Sequence, residues 1–209
     1  MARIRATRSR LTPDERRRPP EDLAANEYRF VDRWRMPATV EEVSEILMEP
    51  EALGQWWPAA WLDYESVAPG DVQGLGRVFR YRVKGWLPYS LNLEFTTVEI
   101  RRPHGFSVDA TGDLVGHGRW TLEQQGPKVE VTYEWRVRAD YPLIRFLSPV
   151  FKPIFRSNHF WVMRQGGRSM FLEVLRRRAT TAEERARIPA PPRPIPPVGL
   201  GRRRPKRPG

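Results

Sequence analysis

Two side chains stand where acid–base chemistry could be done. Asp32 falls on the apolar face of an alternating run in which Tyr28, Phe30, Trp34 and Met36 are its same-face neighbours. A carboxylate turned inward among such groups costs several kcal/mol if it is unpaired, or else titrates high, so it requires a partner or a task. As a general base in a dry site it can take a proton from a carbon next to a carbonyl; its structural alternative is a hydrogen bond to an arginine, a tyrosine or a backbone amide. His159, beside Asn158 where the last helical segment begins, is the other candidate. Its imidazole can orient or protonate a ligand, or simply pack and cap a helix start. Asp32 and His159 are therefore the expected catalytic pair, with Tyr81 or Tyr133 as helpers. His104 lies in a turn and His117 shares a strand face with Arg119, so both are expected in solvent. Three scattered histidines and no cysteine make no metal site, and no phosphate loop or Ser/His/Asp spacing occurs. No cofactor is expected.

A second feature is the stretch LGQWWP at 53–58. Adjacent tryptophans on a short helix point in different directions. Leu53 and Trp57 are four apart and share a face, so Trp57 is placed inward and Trp56 toward the helix flank or the surface.

The elements that must position these groups follow from periodicity. Residues 28–36 alternate as a half-buried strand ended by Pro37. Thr39 with Glu42 forms a capping box for a short helix whose apolar positions are Val40, Val43 and Leu47. A second short helical segment runs from Glu51 to Trp57. At least four more strands follow with period two: Phe79/Tyr81/Val83, Leu91/Leu93/Phe95, Phe106/Val108/Ala110, then Leu114 to Leu122 through Gly116, Gly118 and Trp120, and Val129 to Val137 through Tyr133 and Trp135. One-sided alternation argues an antiparallel sheet with one covered face. The cover is the final segment, 143–178, in which Phe160, Met163, Gly167, Phe171 and Val174 keep helical spacing. Ser148-Pro149 reads as its N-cap and first residue, and Pro153 is expected to kink or restart the helix near Ser157. The apolar residues Leu143, Ile144, Phe146, Leu147, Val150, Phe151, Ile154 and Phe155, interrupted by Arg145 and Lys152, read as a pocket lid, a membrane-touching segment or ordinary packing.

Charge and proline separate a body from two tails. Of the 21 prolines, 11 fall in residues 1–26 and 179–209, and these ends carry net charges of +3 and +6 against +2 for the 152 residues between them. Both ends are expected to be disordered, and the body runs from 27 to 178. A folded nucleic-acid binder carries its basic excess on the domain itself, so nucleic acid is not the expected partner. The basic tails leave open a weak contact with an anionic membrane, with RNA or with an acidic partner. No apolar leader and no stretch long enough to span a bilayer is present, which sets the expected location as cytoplasmic, as a monomer or homodimer.

With Trp56-Trp57-Pro58 after two short helices, Leu87-Pro88-Tyr89 entering a strand, TGDLVG at 111–116, GRWTL at 118–122 and Asn158-His159 with Met163 and Gly166, residues 27–178 resemble the SRPBCC superfamily, also called START-like, which includes polyketide cyclase/dehydrase and lipid-transport proteins. The resemblance implies an α+β helix-grip fold, a curved antiparallel sheet wrapped around a long C-terminal helix with an apolar cavity between them. The expected function is binding of a lipid-like or polyketide-like molecule there. Alternatives are a cyclase or dehydratase using Asp32 and His159, and a module acting at membranes or RNA through its tails. Combined with the inward aromatic face, this predicts a wall of Trp34, Trp57, Phe79, Tyr81, Leu93, Phe95, Phe106, Gly116, Gly118, Trp120, Tyr133, Trp135, Met163 and Gly167, with the two strand glycines leaving the space that a ligand fills.

Overall fold

The structure, a computed structural model, describes Ala24, residues 26–139 and residues 142–195, with 142–151 as backbone. Seven strands, β1 (Glu27–Met36), β2 (Trp61–Ala68), β3 (Val78–Lys84), β4 (Ser90–Arg101), β5 (Gly105–Gly112), β6 (Leu114–Gln125) and β7 (Lys128–Ala139), form one sheet. Every neighbouring pair is antiparallel, in the order β1-β7-β6-β5-β4-β3-β2. The long helix α3 (Pro142–Arg178) lies in the grip of this sheet. Helix α1 (Val40–Leu47), a 3-10 turn (Pro50–Ala52) and α2 (Leu53–Trp56) connect β1 to β2. This is the expected helix-grip architecture.

Local chemistry accounts for the short elements. The capping box is formed: Glu42 N–H donates to Thr39 Oγ1 at 3.3 Å and Thr39 N–H to the Glu42 carboxylate at 2.8 Å. Val40, Val43, Ile46 and Leu47 then bury one face of α1, and Met163, Met170 and Val174 of α3 complete the same core. Two arginine–carboxylate pairs fasten the ends together, Arg178 to Glu42 and Arg177 to Glu49.

Three expectations require correction. β2 is a strand that alternation does not reveal. It is an edge strand with most of its residues exposed, and register shifts at Trp61/Asp63 and Ser66/Ala68 break the two-residue period. Helix α3 does not start at Ser148-Pro149 or restart after Pro153; it is continuous from Pro142, because each proline forgoes one ladder bond without ending the helix. The chain after 178 is not structureless throughout: α4 (Ala182–Arg187) is capped by Thr181 with Glu184. The side chains at 143–151 of the expected lid, and the tails 1–23 and 196–209, lie outside the described residues. Of the remaining lid positions, Ile154 is exposed and Phe155 packs against the core.

Candidate functional site

The concave face of the sheet and the underside of α3 enclose a cavity of about 210 Å³. Its walls are mostly aromatic because β3 to β7 each turn alternate side chains inward: Phe79 from β3, Phe95 from β4, Phe106 from β5, Trp120 from β6, Tyr133 and Trp135 from β7. Trp57, Leu93 and Met163 also line it. The rings support one another. Trp120 stacks on Tyr133 with centroids 4.1 Å apart, and Phe79 lies 5.8 Å from Phe95.

Five residues expected on the wall lie elsewhere. Trp34 faces a groove between β1 and α3, where Gly167 lets its indole approach; a Cβ at 167 would sit 2.9 Å from that ring. Tyr81 is sealed behind the wall and donates its hydroxyl proton to the Pro50 carbonyl, and burial raises its pKa above the ordinary phenol value. Gly116 and Gly118 do not open the cavity. A side chain at 116 would strike the β7 backbone at Arg136, and one at 118 would meet the Tyr133 hydroxyl at 2.7 Å and Trp135 at 2.9 Å. The space beside each glycine is already filled by β7, so these residues permit close strand and ring packing and leave no void.

The paired tryptophans also differ from the expectation. Trp57 lines the cavity, but Trp56 is equally buried, at 1% exposure against 2%, and stacks on Trp57 at 5.6 Å. The chain turns out of the helix at Trp57, which brings both rings to the same side. Trp57 crosses Trp61 at 5.8 Å, so β2 contributes a cavity residue, Trp61, that went unseen with its strand. The indole N–H groups of Trp56, Trp57 and Trp61 have no hydrogen-bond partner among the described residues.

Polar groups are few. Asn158 Oδ1 accepts from the Trp86 and Leu87 amides at 2.8 and 3.2 Å and so ties the β3–β4 loop to α3. One residue further, His159 lines the cavity. Its Nε2 lies 2.7 Å from Asp32 Oδ2, and its ring stacks on Phe30 with a centroid separation of 3.7 Å. A carboxylate only accepts, so Nε2 carries a proton, and in the neutral imidazole Nδ1 keeps the lone pair. Nδ1 has no hydrogen-bond partner among the described residues. Asp32 itself lies behind the imidazole, on the groove side. Tyr133, opposite Asp32 in the β1–β7 register, is buried; burial, and next the Asp32 charge, push its phenol well above its ordinary range.

Of the other histidines, His104 is exposed as expected, while His117 is half-buried and bonded. His117 Nδ1 lies 2.8 Å from Asp109 Oδ1 on the convex face, and His104 Nδ1 is 3.4 Å from the Leu122 carbonyl. No group of three or more His, Asp or Glu among the described residues could hold a metal ion, and no described helix is long and apolar enough to cross a membrane.

No protein-family model matches the chain, and no curated protein matches it in sequence. Solved structures do. A START superfamily protein from Mycobacterium smegmatis superposes with a TM-score of 0.58 at 15% identity, over 70% of this chain and 96% of that one. A protein from Thermus thermophilus gives 0.59 at 14%, over 73% and 100%. The Zhui aromatase/cyclase from a Streptomyces species gives 0.57 at 12%, over 75% and 98%. At these identities the likeness is one of fold, and the fold shared is the helix grip.

Proposed function

We propose that the protein binds a compact hydrophobic small molecule, ring-bearing or with a single acyl segment, in the cavity between sheet and α3. The observation that carries this reading is a cavity between sheet and helix with a mostly aromatic wall and few polar groups. Drug-sized ligands occupy pockets of roughly 300–1,000 Å³. At about 210 Å³ this cavity suits up to three fused rings better than a two-chain lipid. The aromatase/cyclase and START proteins of the same fold support the reading by analogy of architecture. Titration with neutral 1-aminoanthracene tests it: saturable one-to-one binding that quenches the lining tryptophans supports the proposal, and no uptake refutes it.

A second reading, an enzyme doing acid–base chemistry on such a ligand, is favoured by one contact. Asp32 holds Nε2 of His159 and leaves Nδ1 as a base at the cavity wall. NMR of 2-tetralone in deuterated buffer reads this directly. Protein-dependent exchange at the carbon next to the carbonyl, lost in Asp32→Asn, supports it; exchange at the buffer rate leaves binding alone.

A further inference from the structure

The free edge of β1 faces α3 across a groove that the cavity does not use. One side of the groove is the strand backbone from Asp32 to Pro37. The other is a stripe on α3 formed by Phe160, Met163, Arg164, Gly167, Arg168 and Phe171, which recur at helical spacing. The two sides match in length, since five strand steps and eleven helical steps each span about 17 Å. The phase of the ladder shows what the edge offers. The Ala139 amide donates to the Asn26 carbonyl, and the register pairs Glu27 with Arg138. Even-numbered residues of β1 therefore bond to β7, and Val31, Arg33 and Arg35 turn their N–H and C=O groups outward.

The groove itself is basic, while on the convex face Glu130 and Glu134 of β7 stand opposite Arg35 and Val31. Arg33, Arg35, Arg164 and Arg168 are all exposed, and none makes a hydrogen bond or an ion pair with the described residues. The single carboxylate in the groove, Asp32, is engaged by His159. The protein's own ends carry a net positive charge, which makes them poor complements to a basic groove. A second copy placing its β1 edge here would bring its own arginines against these.

We propose that this groove binds an acidic, extended peptide segment of a partner protein, which adds to the sheet as a strand beside β1. The length and the open backbone fit a polypeptide of five or six residues better than a compact anionic headgroup, because only a peptide can answer a row of alternating N–H and C=O groups. The side chains of the added strand would alternate. Those on the convex side meet Arg33 and Arg35 and are acidic; those turned toward α3 meet Phe160, Met163 and Phe171 and are apolar, with Arg164 and Arg168 at the rim.

The test uses the full chain and a fluorescein-labelled decapeptide of alternating glutamate and valine, with alternating lysine and valine as control. Anisotropy should show binding of the acidic peptide only, weakened by salt and at least tenfold in Arg164→Glu/Arg168→Glu, which removes no hydrogen bond or ion pair with the described residues. Hydrogen exchange should slow at the Val31, Arg33 and Arg35 amides when peptide is added. Arg33→Pro, which removes one outward N–H, should bind more weakly than Arg33→Ala. Several results overturn the proposal: no binding, equal binding of the basic peptide, binding that leaves those amides unprotected, protection in a dimer without peptide, or arginine-dependent binding to vesicles with 30% phosphatidylserine while the peptide stays free.

Discussion

His159 on α3 and Asp32 on β1, 127 residues apart in sequence, share a 2.7 Å hydrogen bond beneath the stacked ring of Phe30. This contact holds the grip helix to an edge strand at the cavity wall, and both side chains are largely out of water, at 14% and 10% exposure. Removing one partner leaves the other buried and unsatisfied, which costs about 1–3 kcal/mol. Asp32→Ala and His159→Ala are each expected to lose stability of that order in urea denaturation. The double variant should lose less than their sum, with a coupling energy of about 0.5–3 kcal/mol. Strict additivity would mean that the two side chains do not act as a pair.

Gly166 is where α3 meets Trp57. A Cβ at this position would run into the Trp57 six-membered ring, and that ring is pinned between Trp34 and Trp61, with centroids at 5.7 and 5.8 Å. Gly166→Ala gains about 1 kcal/mol of helix propensity and meets an overpacking cost of about 1–3 kcal/mol. The net effect should be destabilising, with a shift in tryptophan emission as Trp57 is displaced. A stabilised variant with unchanged emission would contradict the packing described.

Most of the architecture was readable from alternation and capping, and the failures have local physical causes. Strands packed on one face, such as the run from Val129 to Val137, show their period directly. β2 did not, because an exposed edge with two register shifts has no buried face to impose one. Asp32 and His159 could each be singled out, the first by its place on an apolar face and the second by its neighbours. Their pairing could not, since it depends on how α3 is rotated over β1. Gly118 was misread for a related reason. Alternation tells which face a residue occupies, but not that Tyr133 and Trp135 of the next strand already fill the space above it.

Glu42 and Arg178 join α1 to the end of α3 through two short bonds of 2.6 and 2.7 Å. The Arg178 side chain, with smaller help from the Thr39 cap, holds the Glu42 carboxyl below its usual range, and partial burial opposes this. The folded pKa is thus lower than the unfolded one. The pair's contribution is complete above the unfolded value of about 4.3 and is lost as pH falls through the folded value. Both groups are substantially exposed, so the contribution is under about 1 kcal/mol. Urea titrations from pH 6 to pH 3 should show a shallower loss of stability in Glu42→Gln than in the parent. Parallel curves would remove the pair from the acid response.

Val108 of β5 lines the cavity and is itself 4% exposed, two residues along the strand from Phe106 and paired with Thr97 of β4. Its side chain borders the cavity, so a larger one can extend into the empty space. Val108→Phe is therefore expected to fill part of the 210 Å³ at a stability change within about 1.5 kcal/mol, well below the cost of overpacking a core that has no room. The same variant should weaken 1-aminoanthracene binding at least tenfold, because a ligand of that size and the new ring compete for one volume. Retained stability with lost binding places the dye in the cavity between sheet and helix. Unchanged dye affinity in a folded Val108→Phe would place it outside, on the exposed apolar residues Ile154 and Phe160 of α3, and the cavity would then have no demonstrated ligand.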